Sequence, residues 1–334
     1  MKNSEGYITQ NTQAILLLCG GLGVKRVLPP EPLTQSEYNQ LAIRLHELGM
    51  QPFDLLKSRG LEMLREYAEK KVTFSRLEAL MGRGAALAFA LESWMNQGLW
   101  ILSRSDSVYP KCFINLLKKY APPLIYGVGE KHFLNKGGLS IVGSRDVDED
   151  TLYFANCMAV LCAQQDIQVV SGGARGIDEE AMLAALDEGG KVVGVLSHAL
   201  TQAVRSKKYR DYIHKGQLTL ISTFDPLAGF NAGNAMMRNK FIYVLGDWAL
   251  AVNSAHGKGG TWGGAIDNLK FDRVPLFVRD GEDIPEGNRA LIRKGGIPLT
   301  QEVFNDPRGI KTFLDDLISK QPPKEVGPDQ LPLF

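Results

Sequence analysis

Residues 139–186 read LSIVGSRDVDEDTLYFANCMAVLCAQQDIQVVSGGARGIDEEAMLAAL, and the fold is decided there. The stretch holds two strand–glycine turn–helix units in succession. Residues 139–142 are a short apolar run ending in Gly143-Ser144-Arg145. The segment after them repeats at helical spacing, with Leu152, Ala155, Ala159, Val160 and Ala163 on one face. Residues 167–170 are a second β-branched run, which ends in Ser171-Gly172-Gly173-Ala174-Arg175-Gly176-Ile177-Asp178 and gives way to another helix. Tandem units of this kind predict parallel strands whose carboxyl ends share one edge, and in a doubly wound sheet ligands bind at that edge.

The chemistry of the turns follows from their composition. A strand that ends at glycine lets the backbone approach a ligand with no Cβ in the way. N–H groups at the start of the next helix then point at any anion there. This makes Gly143, Ser144 and Arg145 in the first turn, and Ser171, Gly172, Gly173, Arg175 and Gly176 in the second, candidates for holding phosphate. Arg145 and Arg175 supply full charges. The plain alternative is a pair of tight turns with solvated arginines. Asp178, Glu179 and Glu180 read as first-turn caps of their helix. Their charge opposes an anion directly over that helix, which shifts weight to Arg145.

At 334 residues the chain is long enough for one to three domains and a sizeable core. Apolar residues at 44% and charged residues at 22% are those of an ordinary globular protein. A net charge of +1 excludes a whole-surface basic field, so any nucleic-acid contact has to be a local patch. The cysteines, Cys19, Cys112, Cys157 and Cys162, have no CxxC spacing and read as thiols in a reducing cytoplasm. The apolar run at 14–19 is too short for a signal peptide or a membrane span, so no membrane association is expected. The histidines are scattered without ligand spacing, so no metal is expected. No cofactor is expected either, and no nucleophile–base set can be argued, so no catalytic residue is named.

The expected fold class is α/β, a Rossmann-like doubly wound, mostly parallel sheet preceded by a small helical domain. Residues 1–104 read as a helical N-terminal domain, with helices near 35–48, 61–68, 73–81 and 85–97. Residues 22–25 are either a small phosphate-gripping glycine turn or a plain loop. Residues 105–305 read as the sheet domain. Leu124-Ile125-Tyr126 is its expected edge strand, and further strands are expected near 139–142, 167–170, 191–196, 218–222, 249–252 and 274–278. Residues 203–215 carry Arg205, Lys207, Lys208 and Arg210 with Tyr209 and Tyr212 between them. Such interleaving suits a single nucleic-acid strand, or else a solvated basic helix face. A third glycine turn, Gly257-Lys258-Gly259-Gly260-Thr261, falls at the same sheet edge. Residues 306–334 read as a helix and a flexible, proline-rich tail.

GSR after a strand, followed by SGxARGID after the next, resembles the DNA-processing protein A (DprA/Smf) family. The likeness extends to Val108-Tyr109-Pro110, to Pro122-Pro123-Leu124-Ile125-Tyr126-Gly127, and to Met237-Arg238-Asn239-Lys240, which resembles the family's arginine–asparagine helix start. Gly257-Lys258-Gly259-Gly260-Thr261 resembles its G-S-L-x-T turn. The resemblance spans residues 98–300. It implies a Rossmann-like domain that binds single-stranded DNA, hands it to a recombinase and self-associates as a homodimer. It adds Arg238, Asn239, Lys240, Lys258, Gly259, Gly260 and Thr261 to the candidate site. The family's C-terminal winged helix is not expected after residue 305.

Departures from the family pattern are Gly173 for leucine, Met182 for histidine, and Lys258-Gly259-Gly260 for Ser-Leu-Ile. The last drifts toward the related SLOG superfamily, whose phosphoribohydrolases carry GGxGTxxE. The glutamate of that pattern falls on Gly264, so the carboxylate those enzymes use is missing. Three readings compete: a DprA-like single-stranded DNA-binding protein, a SLOG-type nucleotide-binding protein that senses or cleaves nucleotides, with anti-phage defence as one setting, and an assembly or adaptor protein. The adaptor reading rests on Gln330, Leu331, Leu333 and Phe334, which resemble the peptide that docks into the bacterial sliding clamp.

Overall fold

The structure, a computed structural model, describes residues 8–23, 30–69 and 71–322. The glycine turn read at 22–25 lies partly outside the described residues, and the clamp-like peptide at 330–334 lies wholly outside them.

Among the described residues, five helices precede the main sheet: α1 (Gln10–Cys19), α2 (Gln35–Glu47), α3 (Ser58–Glu62), α4 (Phe74–Met81) and α5 (Gly84–Met95). Thr34 and Glu37 form a reciprocal capping box that fixes where α2 starts. The expectation of helix across residues 1–104 is corrected at two places. The helix read at 61–68 stops at Glu62, because the chain turns there to make a short antiparallel ribbon of β1 (Ala68–Glu69) and β2 (Val72–Thr73). The second correction is Trp100–Ser103, which is strand β3 of the main sheet.

The other strands of that sheet are β4 (Leu124–Val128), β5 (Leu139–Gly143), β6 (Val169–Ser171), β7 (Val192–Leu196), β8 (Leu218–Ser222), β9 (Trp248–Asn253), β10 (Leu276–Arg279) and β11 (Ile297–Leu299). Over the described residues the sheet is nine-stranded, in the order β11-β10-β9-β5-β6-β7-β8-β4-β3. From β11 to β8 every pairing is parallel. β4 is antiparallel to both its neighbours, β3 and β8, so the run expected at the edge is interior. Its burial on both faces explains its continuous apolar composition. The chain winds outward from β5 through β6, β7 and β8, then returns to place β9 on the other side of β5. The carboxyl ends of β5 and β9 therefore flank the topological switch point.

The described residues also form the helices that cover the sheet: α6 (Glu149–Gln164), α7 (Ile177–Asp187), α8 (Leu200–Arg205), α9 (Lys207–His214), α10 (Ala232–Leu245), α11 (Gly259–Phe271), α12 (Glu286–Arg293) and α13 (Ile310–Ser319). The segment read as one basic helix is broken at Ser206 into α8 and α9. Period-2 alternation divides the core between the two faces. Ile141 and Leu250 pack with α6, α7 and the N-terminal helices. Val142 and Ala251 pack with α10, α11 and α12. Trp94 of α5 meets Tyr126 of β4 edge to face at 5.2 Å, which ties the N-terminal helices to the sheet.

Candidate nucleic-acid interface

All three glycine turns open into one crevice at the switch point. Its larger compartment, 430 Å³, is lined by Gly143, Arg145, Asp178, Lys258 and Gly259 among others. An adjoining compartment of 380 Å³ is lined by Gly172, Gly173, Arg175, Ser197 and His198. The two share Arg145, Ala174, Phe230 and Arg238.

The turns differ in what they leave free. At the end of β5, the Gly143 N–H donates to Asp178 Oδ1 at 3.3 Å. The Ser144 N–H and hydroxyl both donate to the Asn253 carbonyl, at 3.0 and 3.1 Å. Gly176 (φ 87°) starts α7 in a conformation suited to glycine, and a Cβ there would collide with the Ser144 and Arg145 carbonyls. The acids of α7's first turn are all engaged. Asp178 takes the Gly143 N–H, Glu179 pairs with Lys208, and Glu180 accepts from Asn156. Asp178 thus reaches across to β5 instead of capping its own helix. Burial pushes its carboxyl up, while Arg238, the nearby backbone of Gly143 and Gly172, and Arg145 pull it back down; the net direction is upward. Each of these polar neighbours is a donor or a cation.

At the start of α11 the arrangement is the opposite. Among the described residues no side chain caps the helix, its first turn holds no acid, and Gly259 and Gly260 bring no Cβ over the first N–H groups. Those N–H groups have no intrahelical partner and carry the positive end of the helix dipole. Lys258 stands exposed at the N-cap, with Arg145 exposed across the crevice. Asn239 of α10 donates to the Gly260 carbonyl at 2.8 Å and holds the turn in place.

Several residues expected in the site have other roles. Ser171 is buried and donates to the Ile141 carbonyl at 2.7 Å, so it straps β6 to β5. Arg238 is only 5% exposed and donates from Nη1 to the carbonyls of Gly172 (2.5 Å) and Val195 (2.6 Å). It is a brace across β6 and β7, and burial lowers its pKa. Lys240 points away from the crevice into a separate 470 Å³ cavity, over the rings of Tyr120 and Phe241. Arg175 is paired with Asp146, and Lys208 with Glu179, so neither is a free cation. Arg205 and Lys207 stay exposed on α8 and α9, and Arg210, also exposed, lies 3.6 Å from Asp211.

The structure also brings in residues that the motifs did not single out as site residues. Phe230, 59% exposed, stands between the compartments with its ring 5.3 Å from His198, edge to face. His198 is held by Ser197 at 2.9 Å, and burial together with Arg238 and Arg145 lowers its pKa. Ser197 and His198 follow the carboxyl end of β7, a position that the strand pattern itself marks for ligands. Two buried donors on the floor, Arg238 Nε and Tyr243 Oη, have no partner among the described residues. Gly264, the position of the missing glutamate, is buried where α11 packs on α10. A Cβ there would lie 2.9 Å from the Tyr243 ring, so no carboxylate fits. Among the described residues no group of His, Cys, Asp and Glu could hold a metal ion, and no helix is long and apolar enough to cross a membrane.

A mostly parallel sheet with glycine turns and cations at its switch point places the molecule among Rossmann-like α/β proteins. Residues 100–303 match the family of DNA recombination-mediator protein A, and the chain belongs to that family. Its fold is shared with DNA processing protein A (DprA) from Streptococcus pneumoniae, at TM-score 0.67 and 18% identity over 90% of this chain and 98% of that one. It is also shared with DNA processing protein A from Helicobacter pylori, at TM-score 0.53 and 22% identity over 66% of this chain and 96% of that one. The H. pylori protein binds single-stranded DNA. No curated protein is a significant sequence match.

Proposed function

We propose that the crevice binds single-stranded DNA and that the protein acts by binding, in DNA processing and recombination. The observation that carries this reading is the pairing of Arg145 and Lys258 with the uncapped N-terminus of α11, around an exposed aromatic ring, Phe230. Cations and N–H groups meet phosphates, and a ring provides a platform on which a base of any identity stacks. Each compartment has the volume that holds one small ligand unit. Arg205, Lys207 and Arg210 extend the basic surface beyond the crevice along α8 and α9. The H. pylori relative's single-stranded DNA binding mode supports the same ligand class.

Transfer of the strand to a recombinase, a homodimeric state, a cytoplasmic setting and a clamp contact through residues 330–334 complete the proposal; deleting those five residues and measuring clamp binding tests the last. A gel-shift series with single-stranded DNA, duplex DNA and competing mononucleotides tests the main reading. Single-stranded DNA is expected to shift first. Preferential binding of mononucleotides, or no shift, contradicts it.

A further inference from the structure

Among the described residues, Asp178 is the one acid on the crevice floor. It is 6% exposed, lines the larger compartment, takes the N–H of Gly143 at the end of β5, and stands over Gly172, the residue after β6. We propose that Asp178 is a specificity-determining residue: its carboxylate keeps phosphomonoester dianions out of the crevice and restricts the site to the phosphodiester linkages of a continuous strand. This rests on the strand-binding reading above.

Donor supply and charge decide which phosphate can enter. A terminal phosphate near neutral pH carries between one and a half and two negative charges on three acceptor oxygens. A diester linkage carries a single negative charge. To seat a dianion, the floor must offer free donors and net positive charge. The Gly143 N–H is occupied by Asp178, and the Ser144 N–H and hydroxyl by the Asn253 carbonyl. The Arg238 Nη1 is used by two carbonyls. Its Nε is unpartnered, but Asp178 stands beside it over Gly172, where a Cβ would overlap both side chains, so the charges offset. A second buried, unpartnered floor donor, the Tyr243 hydroxyl, is neutral and suits a base edge or a water. The uncompensated cations are at the mouth, Arg145 and Lys258, where a backbone crosses without descending to the carboxylate.

The test is a competition experiment on the full chain, read as displacement of a labelled thymidine oligomer by fluorescence anisotropy. The competitors are thymidine 5′-monophosphate and the dinucleotide thymidylyl-thymidine, whose only phosphate is a diester. The diester is expected to displace the oligomer at a concentration at least tenfold lower, although it carries less charge. Equal or better competition by the monophosphate overturns the proposal. Asp178→Asn keeps the shape and removes the charge. It is expected to bind the monophosphate about tenfold more tightly, so that the monophosphate gains on the dinucleotide in the same competition. A folded Asp178→Asn protein with an unchanged ratio also overturns the proposal, and the wild-type competition decides the matter if that variant does not fold. Failure of the oligomer itself to bind sinks both this inference and the strand-binding reading; oligomer binding with equal competitors sinks this one alone.

Discussion

The N-termini of α7 and α11 face the same crevice and are both preceded by glycine turns, yet one is closed and the other open. Three acids crowd the first turn of α7, and every one of them has a partner within the protein. The first turn of α11 holds no acid and no side-chain cap among the described residues. Glycine therefore means different things in the two places. At Gly172 it makes room for Arg238 and Asp178, whereas at Gly259, with nothing within 4 Å of a would-be Cβ, it leaves backbone bare. A glycine-rich turn after a strand is compatible with either use, and what decides is whether the protein has already supplied the anion.

Substitutions in the two turns put this contrast at risk. The largest effect is expected from Gly172→Ala, because its methyl overlaps two locked, buried side chains. Overpacking of this kind costs about 3 kcal/mol, read as a Tm drop of roughly 6–12 °C. A Tm within 2 °C or so of wild type would show that the closed turn is not the rigid brace described. Next, Arg145→Ala is expected to weaken oligonucleotide binding by about 1.5–3 kcal/mol, tenfold or more, with the melting temperature unchanged. An unaltered titration curve would remove Arg145 from the site. Thr261→Glu copies the closed turn's acid into the open one. It is expected to stabilise α11 by about 0.3–1 kcal/mol through the helix dipole and still to lower oligonucleotide affinity about tenfold. Binding that survives this change would mean that α11 does not face the ligand. Smallest is Ser171→Ala, which removes the β6-to-β5 strap at a cost of about 1 kcal/mol in stability, measured by denaturant titration, and leaves DNA affinity as it was.

Much of this was legible in the sequence, for a physical reason. Parallel strands buried on both faces announce themselves as apolar runs, and glycine turns at their ends mark the ligand edge, so β5 to β9 and the turns with Arg145 and Lys258 could be read directly. Helical phase could not. Arg238 and Lys240 are two positions apart, roughly 200° around a helix, and only the packing of α10 decides which of them faces the crevice. β11 gives little signal because it is three residues long with Pro298 at its centre, which an edge strand tolerates. β3 merges with the helical stretch before it. The reach of Asp178 to β5 depends on the α7–β5 contact, and a carboxylate in a first helical turn reads equally well as a cap.

The sharpest check on a crevice that holds phosphates at its mouth is the salt dependence of oligonucleotide affinity. Each phosphate neutralised on a single strand contributes about 0.7 to the slope of log affinity against log salt. If Arg145 and Lys258 each hold one phosphate, the double variant Arg145→Ala/Lys258→Ala has a slope shallower than wild type by about 1.4. Parallel lines for the two proteins would show that neither cation meets the strand.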